Sequence, residues 1–213
     1  KVLKDIIFFT DKYIYFNELQ MNGYVSNFFR ISKEVKTKEM MFVCNDMESY
    51  RNIKKEEEWH RAYLEQLPAT FGGAFPTPEE WAVFVKVAWY HTKDNHLDVI
   101  DDKLYYFDHF NSKILTYDEG MNLLNECEIT YPTKEDFWQH KIYKDKALGK
   151  FYTIFGSAVN EIDVNTGKTS AVANANQWMT EKIIIHKGNL YAVTKKRDSA
   201  GVWVSYVERI VID

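Results

Sequence analysis

Histidine side chains are the groups in this sequence best suited to acid–base or metal chemistry, because imidazole titrates near neutral pH and binds metals well. The chain has six of them, and no two stand at a metal-ligand spacing such as HxxxH. His91 and His96 are five residues apart with Asp94 between them. This spacing would suit a metal only if the segment lined a cavity, and a solvated loop is the simpler interpretation. The sequence therefore predicts no metal and no cofactor, and it keeps His91 as a candidate ligand contact.

Two other histidines stand beside groups that could assist acid–base catalysis. His109 follows Asp108 directly, and His140 follows Trp138 by two residues. A general acid–base pair needs its groups held together in a dry pocket, and the sequence alone does not place them in one. We therefore treat His109, His140 and Asp108 as weak catalytic candidates and leave open whether the chain is an enzyme.

Recognised catalytic motifs are missing from the sequence. It contains no Gly-x-Ser-x-Gly elbow, no Cys/His pair in a known local pattern and no phosphate-binding Gly-rich loop. Adjacent carboxylates such as Asp101-Asp102 and Asp118-Glu119 fit solvated turns. The segment Asp163 to Gly167 has some calcium-loop residues, but the downstream Glu is absent and a hairpin turn accounts for it.

Aromatic side chains are concentrated between residues 54 and 89. Trp and Tyr dominate protein interfaces and also stack on flat ligands, so a partner or a sugar could bind here. Packing of the same rings into the core is the competing interpretation, and it applies to Trp138 as well. As binding candidates we take Trp59, Tyr63, Trp81, Trp89, His91 and Trp138.

The composition limits the class of partner. The 213 residues are 46% apolar and 16% aromatic, and they carry a net charge of -4. This is ample for a core, but it disfavours a nucleic-acid partner, which would need a basic face. The best basic cluster, Lys195-Lys196-Arg197, falls at a predicted turn and fits a solvated hairpin tip. No apolar run approaches the roughly 18 residues of a membrane-spanning helix, and Cys44 and Cys127 fit buried thiols better than a disulfide.

Short strands are the elements that must position these residues. Apolar and aromatic runs separated by polar turns predict four units of about four strands each, at residues 5–43, 96–130, 137–175 and 181–213.

Residues 44–95 interrupt this pattern. Lys54 to Leu67 carries its apolar residues on one helical face. Thr77-Pro78-Glu79-Glu80 offers an N-cap, a first-turn Pro and a capping-box Glu, which predict a second helix. The alternation of Val83, Val85 and Val87 would favour a strand instead, and we prefer the helix.

The four units repeat at a regular spacing. Tyr105, Tyr152 and Tyr191 are separated by 47 and 39 residues, and Tyr15 precedes Tyr105 by 90. A period of about 40–50 residues built from four short strands is typical of a β-propeller blade. The sequence therefore predicts an all-β fold, a propeller or part of one, as a single domain over residues 1–213 with a helical insertion around residues 52–92. An ordinary antiparallel sandwich is the alternative.

Four segments carry a resemblance to a known group: IIFFTDKYIYF, LDVIDDKLYYFDHFNSKILTYDEG, KFYTIFGSAVNEIDVNTGK and KIIIHKGNLYAV. Together they resemble the six-bladed β-propellers of the NHL and TolB-like groups, most closely the secreted or lipid-anchored bacterial members. The chain departs from the pattern in having four clear units and a helical segment where a blade is expected. Because it also opens without a Met, we expect a fragment or processed form that lacks N-terminal blades.

The resemblance implies a function and a location. In such propellers the first strand of each blade lines a central channel, so Trp138 and His140 could face a ligand. We expect a non-catalytic binding or scaffold protein that holds a glycan, peptide or protein partner at the channel mouth and the insertion. A propeller-type hydrolase or lyase with a channel-facing His/Asp pair is the alternative. The implied location is periplasmic, outer-membrane-anchored or secreted, and the sequence leaves the oligomeric state open.

Overall fold

The computed structural model describes residues 3–20, 25–66, 76–88, 95–131, 138, 141–175 and 180–212. Within these residues the chain is mostly β, with fifteen strands and two helices. The strands form four antiparallel sheets, and in each sheet the neighbouring strands are consecutive in the chain. The predicted all-β fold class, with blade-like units and a helical insertion, is therefore confirmed. The chain divides into two compact units, Lys1–Lys93 and Asp94–Asp213.

Sheet 1 lies in the first unit and has four strands. Its centre is aromatic, because Tyr15 of the second strand and Phe28 of the third are buried. Aromatic side chains suit this pleated, half-buried surface. The strands are β1 (Leu3–Phe9), β2 (Tyr13–Gln20), β3 (Val25–Ser32) and β4 (Lys38–Asn45).

Helix α1 (Met47–Glu65) follows sheet 1 and begins earlier than the sequence predicted. The Asp46 carboxylate accepts a hydrogen bond of 3.2 Å from the Ser49 N–H, which satisfies one of the N–H groups left unpaired at a helix start. This cap brings the polar residues before Lys54, which we had left outside the helix, into its first turns.

Helix α2 (Pro78–Ala88) confirms the helical interpretation of the second segment over the strand. The predicted capping box is present in both directions. The Thr77 N–H donates to Glu80 Oε2 at 2.8 Å, and the Glu80 N–H donates to Thr77 Oγ1 at 3.2 Å. Helical start signals therefore outweigh the β preference of the alternating valines.

Sheets 2, 3 and 4 lie in the second unit. Sheets 2 and 3 have four strands and sheet 4 has three. Sheet 2 consists of β5 (His96–Ile100), β6 (Lys103–Asp108), β7 (Lys113–Tyr117) and β8 (Leu123–Glu128). Sheet 3 consists of β9 (Tyr143–Asp145), β10 (Lys150–Phe155), β11 (Ala158–Ile162) and β12 (Thr169–Asn174). Sheet 4 consists of β13 (Thr180–His186), β14 (Asn189–Arg197) and β15 (Trp203–Val211).

Sheet 3 is packed on both faces. On one face Phe151 joins the apolar cluster that contains Phe107 and Ile114 of sheet 2. On the other face Tyr152 joins the cluster that contains Leu190 of sheet 4. Successive residues of β10 thus serve opposite sheet faces, as strand geometry requires. Face-to-face stacking of consecutive meander sheets is the packing of neighbouring propeller blades.

Polar contacts fix the spacing of these sheets. The buried Asp145 carboxylate accepts the Gly188 N–H of the β13–β14 turn at 2.7 Å. The β11–β12 hairpin docks on the end of sheet 2, where Gly167 O accepts from both the N–H and the hydroxyl of Thr130. Gly167 has φ +69°, and a Cβ added there would lie 1.8 Å from the Glu128 carbonyl oxygen. Only glycine therefore fits this contact.

Turn chemistry explains the acidic turn between β5 and β6. Asp101 and Asp102 both have positive φ, at 48° and 58°, which is the backbone of a two-residue hairpin loop. The basic cluster Lys195-Lys196-Arg197 corrects our expectation of a turn: it lies within β14 and pairs with residues at the start of β15.

Neither Cys44 nor Cys127 forms a disulfide. In the part of the chain that the structure describes, no helix is both long enough and apolar enough to cross a membrane.

Candidate functional site

Five aromatic rings on α1 and α2 form a continuous chain of ring contacts, which we call the helix aromatic chain. Tyr63 stacks on Trp59 with centroids 5.8 Å apart and planes 9° apart. Trp59 contacts His60, His60 stacks on Trp81 at 4.9 Å, and Trp81 contacts Phe84 at 5.4 Å. The chain is buried in the middle and exposed toward both ends: His60 is 4% exposed, whereas Tyr63 and Trp59 on one side are 38% and 59% exposed and Phe84 on the other is 52% exposed.

The helix aromatic chain is held by polar contacts as well as by ring stacking. His60 Nε2 lies 2.9 Å from the Pro76 carbonyl oxygen, which ties α1 to the start of α2. Arg61 contacts Glu57 one turn earlier and Glu79 on α2, at 3.3 and 3.7 Å. These contacts fix the two helices relative to each other, so the exposed rings are presented on a rigid support.

A second group joins strands β5 and β9. The Asp98 carboxylate binds the Lys144 ammonium of β9, and its second oxygen lies 3.5 Å from His96 Nε2. The 3.5 Å separation is an ion-pair distance but too long for a good hydrogen bond. Burial disfavours the Asp98 carboxylate, but its contacts with His96 and Lys144 outweigh this effect and lower its pKa. We call these three residues the β5–β9 polar cluster.

In the β5–β9 polar cluster a carboxylate, an ammonium and an imidazole converge. About a third of the His96 and Lys144 side chains is exposed, whereas Asp98 is buried. This arrangement places an imidazole beside a fixed anion, but their 3.5 Å separation exceeds the hydrogen-bond distance at which a carboxylate orients a histidine in acid–base sites. Among the described residues no group of three or more metal-ligating side chains occurs.

His109 and Trp138 lie in the apolar interior between sheets 2 and 3. His109 is fully buried, and its Nε2 lies 2.7 Å from the Tyr131 hydroxyl oxygen. The Trp138 ring meets His109 edge to face at 4.7 Å and donates its Nε1–H to Thr153 Oγ1 at 2.7 Å. Trp138 is 3% exposed. We call His109, Tyr131 and Trp138 the core aromatic chain; it offers no exposed ring to a ligand.

Asp108 organises the turn that follows β6. Its Oδ1 accepts the Asn111 N–H at 3.1 Å, and Oδ2 accepts the Asn111 side-chain amide at 2.7 Å. Asn95 donates to the same carboxylate and accepts the Phe110 N–H. Asp108 thus holds a loop in place, which is a complete structural role.

The structure brings some of the predicted site residues together and separates others. Trp59, Tyr63 and Trp81 share one surface feature, and His109 lies next to Trp138. The remaining candidates, Trp89, His91 and His140, fall outside the described residues.

Sequence reasoning missed the β5–β9 polar cluster. His96 and Asp98 are two residues apart on a strand, so their side chains point to the same face, and this spacing could have signalled the pair. No local signal joins Lys144 to them, since that contact depends on the stacking of two sheets.

Comparison with known proteins gives little beyond this geometry. No family model matches the chain, and no curated protein matches it. Among solved structures the chain is similar to a luciferin-regenerating enzyme, at 10% sequence identity and a TM-score of 0.45. The match covers 94% of this chain and 58% of the other, so this chain spans less than two thirds of that enzyme's length. A similarity this weak says nothing about the activity of this chain.

Proposed function

We propose that this chain is a non-catalytic binding or scaffold protein, and that its partner contacts the exposed Tyr63–Trp59 end of the helix aromatic chain. The observation that carries the proposal is the exposure of Trp59, 59% of whose surface is accessible while its ring is held parallel to Tyr63. A large aromatic ring left in water on a rigid support is a typical interface anchor.

Rigidity is what favours binding over accidental exposure. The neighbouring residue His60 is buried, bonded to Pro76 O and stacked on Trp81. The ring of Trp59 is therefore positioned before any partner arrives, which lowers the entropy lost on association.

The surroundings of the rings also match an interface. Lys55 and Glu56 stand four and three residues before Trp59, so they share its face of α1, and Lys55 is exposed. An aromatic centre with a charged, solvated rim is the usual anatomy of a protein–protein contact. The same pair of parallel rings could take the flat face of a sugar, so a glycan, a peptide and a neighbouring protein all remain within the proposal.

The proposal includes a setting. We assign the chain to the six-bladed NHL and TolB-like propellers, and to the periplasm, the outer membrane or the secreted space, on its sequence resemblance alone. Detection of the native protein in fractionated cells tests the location, and recovery only in the cytoplasmic fraction would refute it.

A capture experiment tests the function. The chain is immobilised and exposed to a solubilised envelope extract and, separately, to an array of oligosaccharides. The double variant Trp59→Ala/Tyr63→Ala is compared with Phe9→Ala, a control that removes another exposed aromatic ring, 74% accessible, from sheet 1. We expect a specific ligand to be retained by the wild type and the control and lost by the double variant. Equal retention by all three proteins would rule out the helix surface.

One observation favours the enzymatic alternative. The β5–β9 polar cluster places a histidine against a carboxylate with a lowered pKa, which is the arrangement a hydrolase or lyase would use. The test is hydrolysis of chromogenic esters and glycosides by wild type, His96→Gln and Asp98→Asn. An enzyme should lose at least about 100-fold in rate in the His96 variant. Rates that are the same in all three proteins would dismiss this alternative.

A further inference from the structure

The two oxygens of the buried Asp98 carboxylate have unequal surroundings. Oδ1 binds the Lys144 ammonium of β9 and also accepts the Val99 N–H at 2.8 Å. Oδ2 lies 3.5 Å from His96 Nε2, which is too long for a good hydrogen bond. One oxygen of the carboxylate is therefore held by two donors, whereas the other faces an imidazole that has not closed on it.

The imidazole lacks a contact on the same side. Among the described side chains, His96 Nε2 is one of the buried polar atoms that have no hydrogen-bond partner. A neutral imidazole carries one N–H, whereas a protonated one donates from both ring nitrogens. Protonation of His96 would thus place a charged donor beside Asp98 Oδ2 and supply the hydrogen bond that Nε2 lacks.

The neighbouring strands determine which charges act on this imidazole. β9 contributes Lys144, and β6 contributes the Tyr105 phenol directly opposite Asp98. Burial raises the pKa of Tyr105, so this phenol is uncharged near neutral pH. Phe107 of β6 meets the His96 ring edge to face at 5.9 Å, and β10 packs on Phe107 through another aromatic ring. The charges that the structure places against His96 are therefore those of Asp98 and Lys144.

The Asp98 carboxylate keeps its charge over the range in which imidazole titrates. Burial disfavours its ionisation, but the contacts with His96 and Lys144 outweigh burial and lower its pKa below the usual value for a carboxyl. An imidazole gains its proton near neutral pH, where a lysine is already charged. Between pH 8 and pH 6, proton uptake by the cluster therefore takes place on His96.

We propose that protonation of His96 engages the second oxygen of Asp98 and weakens the contact of Asp98 with Lys144, so that acid loosens the link between the first strands of sheets 2 and 3. Two effects act in this direction. The carboxylate divides its charge between two cations, and the imidazolium repels the nearby ammonium. The β5–β9 polar cluster is then a pH-sensitive joint between two sheets. All of its members lie in the second unit, so the proposal does not rest on the helix surface.

Removal of the lysine at two pH values tests the proposal. Lys144→Met replaces the ammonium by an apolar side chain, and urea titrations give the factor by which it raises the unfolding equilibrium constant. We expect this factor to be at least two-fold smaller at pH 6 than at pH 8. In the matched background His96→Gln, whose side chain takes up no proton, the factor should be the same at both pH values. This comparison isolates the coupling between the two residues.

Carbon NMR provides a measurement that needs no lysine variant. In the wild type, the carboxyl carbon of Asp98 should change its chemical shift with the same midpoint as the ring carbons of His96. In His96→Gln this change should disappear. Asp145, a fully buried carboxylate that accepts the Gly188 N–H at 2.7 Å, is the internal reference and should not move in either protein. This measurement decides the matter if Lys144→Met is unfolded.

Two results would overturn the proposal. One is a Lys144→Met factor that falls by less than two-fold between pH 8 and pH 6, or that falls equally in the His96→Gln background. The other is an Asp98 carboxyl carbon that does not follow the titration of His96. Loss of partner capture by Trp59→Ala/Tyr63→Ala bears only on the helix surface, so the two proposals fail separately.

Discussion

Two aromatic chains in this protein are built alike and end differently. The helix aromatic chain and the core aromatic chain each centre on a buried histidine whose Nε2 lies beside an oxygen atom, at 2.9 Å for His60 and 2.7 Å for His109. Each histidine packs on a tryptophan, Trp81 in one case and Trp138 in the other, at 4.9 and 4.7 Å. A buried histidine with a bonded ring is therefore not in itself a sign of function in this fold.

The difference lies in where the rings lead. From His60 the contacts run outward to the exposed rings of Trp59 and Phe84. From His109 they run to Tyr131 and Trp138, both buried between two sheets. One chain of rings presents a surface, and the other fills an interior. This contrast predicts that equivalent substitutions will affect stability in one chain and recognition in the other.

Trp138→Ala should produce the largest loss of stability. It removes a buried indole and leaves the Thr153 hydroxyl without its Nε1–H donor, and large-to-small changes of this kind cost about 3–5 kcal/mol. The loss is measured by urea unfolding followed by circular dichroism. The urea concentration at the midpoint should fall, and the dependence of the unfolding free energy on urea concentration should stay the same. A cost below about 1 kcal/mol would show that the core aromatic chain does not hold sheets 2 and 3 together.

His109→Phe should cost more than His60→Phe. The first change leaves the Tyr131 hydroxyl buried without its partner, a penalty of about 1–3 kcal/mol. The second releases the carbonyl of Pro76, an exposed residue that water can reach, so we expect less than about 1 kcal/mol.

A double variant checks the cause of that difference. Replacing both members of a buried hydrogen-bonded pair by apolar groups leaves no polar group unsatisfied, so it costs less stability than replacing one. His109→Phe/Tyr131→Phe should therefore recover part of the stability lost in His109→Phe. Equal costs for the two single variants, with no recovery in the double variant, would remove the distinction between the two chains.

Alkaline pH should separate the two chains further. Burial raises the pKa of Tyr131 far above the usual value for a phenol, and burial also raises that of Tyr152 to about 12. A phenol whose pKa is higher in the folded state stabilises the fold fully below its unfolded pKa of about 10, and that stability is lost as the pH rises above it. Unfolding midpoints measured between pH 9 and 11 should therefore fall.

In Tyr131→Phe the unfolding midpoint should fall less steeply between pH 9 and 11. In Trp59→Phe, on the helix surface, it should fall as steeply as in the wild type. An unchanged slope in Tyr131→Phe would show that its phenol ionises without unfolding the protein.

The sequence predicts the parts of this contrast that depend on local signals. Alternating residues and polar turns located the strands, and Thr77 with Glu80 located the start of α2, because these patterns act within a few residues. The start of α1 was missed, although Asp46 followed by Ser49 three residues later is also a local cap signal.

Burial of the aromatic residues did not follow from the sequence. Trp59 precedes His60 directly, and Trp138 precedes His140 by two residues, so their local patterns are similar. What separates the two tryptophans is the stacking of sheet 3 on sheet 2, a contact between distant parts of the chain. The same stacking of distant segments brings Lys144 to Asp98. No sequence pattern predicts this ion pair, because no local pattern links the two residues.

Trp59→Ala should have the smallest effect on stability and the clearest effect on the surface. Because the ring is already in water, its removal should change the free energy of unfolding by no more than about 0.5 kcal/mol, as for most surface substitutions. Acrylamide quenching gives an independent measure: Trp59→Phe should lower the quenchable share of the fluorescence, and Trp138→Phe should raise it, because it removes a shielded emitter. If Trp59→Ala instead cost as much as Trp138→Ala, the helix aromatic chain would be part of a core, and its exposed rings would no longer support a binding surface.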